Sequence, residues 1–122
     1  MGIIIETDLD EKYEKYLEVL KKAYKQTSEE KGKERHNPDN LSFEEQPIVT
    51  ETMLLGPAAS CYQVRKKVRE SMHLPTDRAK AEILGAINYA VAMYIYYDEL
   101  ENKEIENDFL IKSLEKAAKK GK

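Results

Sequence analysis

With one cysteine, Cys61, and two histidines, His36 and His73, the chain is too poor in thiols and imidazoles for two common stabilising devices. A single thiol forms no internal disulfide, and a structural zinc site takes four ligands from cysteine and histidine, so no metal site is expected. Positive excess is lacking too: 20 Lys and Arg stand against 23 Asp and Glu, a net charge of −3, so no global field recruits nucleic acid polymers or an anionic membrane. No apolar run reaches the roughly 20 residues that span a bilayer. Nothing reads as a signal peptide, transit peptide or anchor, so the expected location is the cytoplasm. Internal repeats and low-complexity tracts are also missing. At 122 residues the chain fits a single domain, 1–122, large enough for its own core and small enough to benefit from a partner subunit.

What is present is organised around residues 78–100, RAKAEILGAINYAVAMYIYYDEL. Residues 83–97 carry no charge in a chain that is 35% charged, and only Gly85 and Asn88 fall outside the apolar-plus-tyrosine set. A helix this apolar all round is buried on most sides. Placed at about 100° per residue, it has two unlike faces. Ile83, Ala86, Ile87, Ala90, Met93, Tyr94 and Tyr97 form a broad apolar side. Opposite lie Ala81, Gly85, Asn88 and Ala92, flanked by Arg78, Tyr89 and Tyr96. Small residues there admit either a second helix at close range or a flat polar ligand, with Asn88 offering donor and acceptor and the tyrosines offering rings.

In chain order, residues 2–7 (GIIIET) fit a short strand or an apolar cap on another subunit. Thr7 or Asp8 then caps a first helix running to about Glu30, packed through Leu9, Tyr13, Tyr16, Leu17, Leu20 and Tyr24. Its other side, with Glu11, Glu14, Glu18, Lys22 and Lys25, is solvated. Residues 31–47 (KGKERHNPDNLSFEEQP) form a loop long enough to be either a lid, contributing Arg35, His36, Asn37 and Asn40 with Phe43 as anchor, or disordered. Residues 48–55 (IVTETMLL) fit a strand paired with 2–7 or the first turns of a helix. Pro57 suits the start of a helix reaching His73, with Cys61, Val64, Val68 and Met72 on its buried stripe. Thr76 caps the central helix after the Leu74-Pro75 turn, which makes these two helices an antiparallel hairpin. Beyond Leu100 the helix continues or breaks near Asn102 or Asn107, and Ile105, Phe109, Leu110, Leu114 and Ala117 supply a further apolar stripe. The fold class expected is mainly α: an antiparallel helical hairpin core plus an N-terminal helix, with a small β element at 2–7 and 48–55 left open.

Charge is distributed unevenly. Residues 1–51 hold 8 Lys and Arg against 13 acids, residues 52–97 hold 6 against 3, and residues 98–122 hold 6 against 7. The hairpin is therefore the basic part of an acidic chain. Tyr62, Arg65, Lys66, Arg69 and His73 share one stripe of the second helix, and Arg78 and Lys80 follow the turn. Guanidinium groups bind phosphate bidentately and aromatic rings stack on bases. The backbone N–H groups at 56–60 add a second anion cradle. The alternative for the same stripe is a solvated face that pairs with acidic surfaces. Candidate ligand-binding residues are Arg65, Lys66, Arg69 and Arg78 for phosphates, Tyr62 and Tyr89 for stacking, Asn88 for a base or ribose edge, and Arg35 from the loop.

Catalytic patterns are absent. There is no Walker loop, G-x-G-x-x-G or nucleophile elbow. Cys61 lies on a buried stripe, with His73 too far along the helix to activate it. An all-α nucleotide pyrophosphohydrolase holds Mg²⁺ with paired carboxylates from two helices. The only pairs available here are Glu11 with Glu14, on the outer face of the first helix, and Asp98 with Glu101, at the end of the central one. No catalytic residue and no cofactor are assigned.

The block GPAASCYQVRKKVRESMHLPTDRAKAEILGAINYAVAMY combines a basic helix, a P-x-D-R turn at 75–78, and a patterned run in which Lys80, Leu84, Ile87 and Ala90 hold the spaced positions. Over this middle third the chain resembles the helical hairpin shared by two phage anti-defence sponge families, the Thoeris anti-defence sponges and the anti-CBASS sponges. Length and the N-terminal helix with its loop are more like the Thoeris type. The resemblance implies a non-enzymatic protein in the cytoplasm of the infected host. It would sequester a cyclic nucleotide messenger, such as a cyclic ADP-ribose isomer made by a TIR-domain enzyme, and release it intact on denaturation. It also implies a homo-oligomer, dimer or higher, with ligand at subunit interfaces. Two other readings stay open: the Mg²⁺-dependent nucleotide pyrophosphohydrolase, and a helical protein that inhibits a partner by direct contact.

Overall fold

A computed structural model describes residues 10–29 and 39–120, and these form helices with no strand among them. Asp10 starts the first element: its carboxylate accepts from the Lys12 backbone N–H at 3.0 Å and caps a single 3-10 turn, Glu11–Tyr13. Thr7, Asp8 and Leu9, expected to cap and enter this helix, lie outside the described residues, as do residues 2–7. Helix α1 is Glu14–Ser28.

A second 3-10 turn, Phe43–Glu45, leads into helix α2, Pro47–Leu55. A strand at 48–55 is thus ruled out. Pro47 at the helix start supplies the φ angle a first turn needs, at a position where its missing N–H costs nothing. Interior β-branched residues are also accommodated. Among the described residues Val49 and Thr52 are the two largest fully buried side chains, and the Thr52 hydroxyl donates to the Ile48 carbonyl at 2.9 Å.

Gly56 ends α2 at φ 88° and ψ 175°, and Pro57 opens α3, Ala58–Ser71. The buried side of α3 is not the apolar stripe expected from periodicity. Ser60 is buried, and Cys61, Val64 and Lys67 are half-buried, while Val68 sits at the edge and Met72 is 76% exposed. The reason is close approach. With Thr52's proton given to Ile48, Ser60 donates to the Thr52 hydroxyl at 2.6 Å, and so short a contact between α2 and α3 requires small side chains.

Helix α4, Thr76–Lys120, runs unbroken for 45 residues, about 67 Å at the usual rise. Its packed side is the small-residue face: Asn88 and Ala92 are buried and Gly85 is half-buried. Helices α1, α2 and α3 all lie against α4. A Cβ at Gly85 would meet Lys67 Cδ at 3.1 Å, which shows how closely α3 approaches. From the broad apolar side Ala86 is buried, but Ile83, Tyr94 and Tyr97 face solvent. Of the two occupants admitted by the small-residue face, helices fill it. On α1 the packed residues are Leu17, Leu20, Ala23 and Gln26, and the expected anchors Tyr13, Tyr16 and Tyr24 are exposed.

From Tyr97 to Lys120 every residue of α4 is exposed. This part of the helix projects beyond the body as an arm. Among the described residues no helix is long and apolar enough to cross a membrane.

Candidate functional site

Four of the expected site residues come together. Tyr62, Arg65, Lys66 and Arg69, spaced i, i+3, i+4 and i+7 along α3, line an open-sided surface cavity of about 350 Å³ together with Glu70. That spacing places all four on one side of a helix. The same twist that turns Ser60 and Lys67 inward turns this set outward, where it stays hydrated. Lys66 Nζ lies 4.0 Å from the Glu70 carboxylate, one helical turn on. Glu70 was not singled out from the sequence, although its i+4 spacing from Lys66 is a readable signal. The rim of the cavity holds three cations, one carboxylate and one phenol ring.

The chemistry available is anion recognition. Arg65 and Arg69 each present a planar fork of N–H donors that matches two phosphate oxygens, and Lys66 adds a movable point charge. Tyr62, 62% exposed, offers a ring face and a hydroxyl. All five lining residues belong to α3, so the cavity has one wall and is otherwise open.

The remaining expected residues fall elsewhere. Asn88 is 8% exposed, and its Nδ2 donates to the Ala23 carbonyl at 3.1 Å and to Gln26 Oε1 at 3.3 Å. Both amide protons are therefore spent on α1, away from the α3 cavity. Tyr89 is half-buried beneath Lys67, whose ammonium sits 5.8 Å from the ring centroid. Lys67 also pairs with Glu82 at 3.7 Å, so one face of the Tyr89 ring is already occupied. Arg78 is exposed in the first turns of α4 and is not among the cavity residues. Arg35, with His36 and Asn37 of the expected lid, lies outside the described residues.

The carboxylate pairs considered for Mg²⁺ are exposed. Glu11 and Glu14 flank the start of α1, and Asp98 and Glu101 stand on the projecting part of α4. Among the described residues no three His, Cys, Asp or Glu side chains are grouped so as to hold a metal ion. Cys61 is a half-buried free thiol and His73 is exposed beyond the end of α3. Compared with protein-family models, curated proteins and solved structures, the chain matches none.

Proposed function

We propose that the chain binds a small anionic nucleotide on the outer face of α3 and holds it without cleaving it. In this reading it is a phage anti-defence sponge for a cyclic nucleotide messenger of the cyclic ADP-ribose isomer type. The observation that carries the reading is the grouping of Tyr62, Arg65, Lys66 and Arg69 around one cavity. Two guanidinium forks and an ammonium suit a pyrophosphate, and an adjacent ring suits a base. The resemblance of residues 56–94 to sponge hairpins supplies the ligand class.

Sequestration needs affinity and abundance, not reacting groups. A pocket that retains a drug-sized ligand covers roughly 70–90% of its surface. One helix face cannot do that, so the reading requires a further wall from a second copy of the chain or from the residues around Arg35.

The test uses the purified protein mixed with a panel of cyclic ADP-ribose isomers and cyclic di- and trinucleotides. After unbound material is removed, the protein is heat-denatured and the released compound identified by mass spectrometry. One compound depleted from solution and recovered intact is expected. Replacing both Arg65 and Arg69 by Ala should weaken its binding by roughly a hundredfold or more, since each removes a charge-assisted bidentate contact. Recovery of a cleaved compound would make the protein an enzyme, and a panel left wholly in solution would refute the reading.

The interaction-protein reading keeps one observation in its favour. Ile83, Val91, Tyr94 and Tyr97 leave an apolar surface exposed along α4. It predicts capture of a macromolecule and no small ligand.

A further inference from the structure

Among the described residues, nothing covers the arm of α4. Residues 98–120 extend about 35 Å past the body with every residue exposed. Isolated helices owe little stability to propensity, and most gain it by burying an amphipathic face. Such a face exists here. Leu110, Ile111, Leu114, Ala117 and Ala118 fall on one side of the arm at spacings of three, four and seven, and the first three are 56%, 55% and 62% exposed. It continues the same side of α4 that α1 and α3 cover further back, where Tyr89, Met93 and Tyr96 are half-buried.

Charge on the arm selects the occupant. Residues 98–108 hold six acids and one lysine, whereas residues 109–120 hold four lysines and one acid. Two parallel arms would set acid against acid and lysine against lysine. Two antiparallel arms centred near Lys112 set the acids at 104–108 against the partner's basic half. We infer that the arm is a self-association element: two copies of this chain pair antiparallel through Leu110, Ile111 and Leu114, with the twofold axis near Lys112. In that register each Leu110 is level with the partner's Leu114, and Glu104 and Glu106 lie beside the partner's Lys120, while Asp108 stays paired with Lys112 of its own helix at 3.1 Å.

The area agrees. Pairing the two arms would cover on the order of 1,000 Å², the lower bound for a specific interface. The dimer is therefore one that dissociates on dilution. No ligand enters this inference, so it stands or falls apart from the nucleotide reading.

Sedimentation velocity on the full chain, over a concentration series from low to high micromolar, reads it out. The expected result is a monomer–dimer equilibrium that the double substitution Leu110→Asp with Leu114→Asp abolishes. Because that variant also weakens the arm helix, two charge variants accompany it. Glu104→Lys with Glu106→Lys should weaken the dimer by about tenfold at low salt. Adding Lys119→Glu with Lys120→Glu to that variant should restore it. A monomer at all concentrations overturns the inference. So does a dimer indifferent to the leucine substitutions, and so does one whose affinity the charge reversals leave unchanged, since a parallel pair keeps like facing like in every variant.

Discussion

At the scale of single residues, the chain's sharpest constraint is Gly56. Its φ of 88° with ψ of 175° lies in a region that residues bearing a Cβ avoid, and it joins two helices without a loop between them. A Cβ built there would meet nothing within 4 Å, so the penalty for a side chain is purely conformational. Gly56→Ala is expected to cost about 1–3 kcal/mol in denaturant unfolding. A variant as stable as the parent would mean the junction relaxes freely, which the Thr52–Ser60 contact across it argues against. Gly85 has the opposite character, an ordinary helical glycine whose neighbour sets the limit. Lys67 lies over it and is held in place by Glu82 and the Tyr89 ring.

Between elements, α1 is attached to α4 by a small amide network. Asn88 reaches the Ala23 carbonyl and Gln26, and Gln26 Nε2 donates to the Ala81 carbonyl at 2.9 Å. Higher residues of α1 meet lower residues of α4, so the two helices run in opposite directions. Asn88→Ala removes two of these bonds from a buried site and should destabilise the fold by roughly 1–3 kcal/mol. The nucleotide binding proposed for α3 should survive in that variant at temperatures where it remains folded. Loss of binding with unchanged unfolding would return Asn88 to the ligand.

The sequence made the helices legible, because Pro57, the Leu74-Pro75 turn and the uncharged run at 83–97 punctuate it clearly. The basic quartet was legible for the same reason, since i, i+3, i+4 spacing is fixed by helical geometry. Which faces pack was not. Hydrophobic periodicity weighs Tyr94, Met72 and Leu54, all strongly exposed here. Close helix approach instead selects Ser60, Gly85, Ala92 and Asn88, residues that such a count passes over. For residues 48–55 a β-branched run reads equally as strand or helix, and Pro47 and the lack of a strand partner among the described residues decide for helix.

For the whole molecule, the relation between body and arm sets how it should unfold. Among the described residues the fully buried apolar ones are Ala23, Val49, Ala86 and Ala92, three of them alanine, so the larger apolar side chains of the body are at most half-buried apart from Val49. Among the described residues every position of the arm is exposed, and a solitary helix of its length melts gradually rather than cooperatively. If arms pair, helix formation in the arm becomes linked to dimerisation, and mass action makes stability depend on protein concentration. Far-ultraviolet circular dichroism should then show a helical signal and a melting midpoint that both rise across a hundredfold concentration series. In the Leu110→Asp, Leu114→Asp variant the midpoint should be lower and independent of concentration, with an early sloping loss of helix from the unpaired arm. Added salt should lower the parent's midpoint relative to the variant's, because the attraction between opposing halves of paired arms is screened and the variant has no such attraction to lose. A parent midpoint that stays constant over the whole series would mean that the arm carries its helix alone, against the cost that an unsupported helix ordinarily bears.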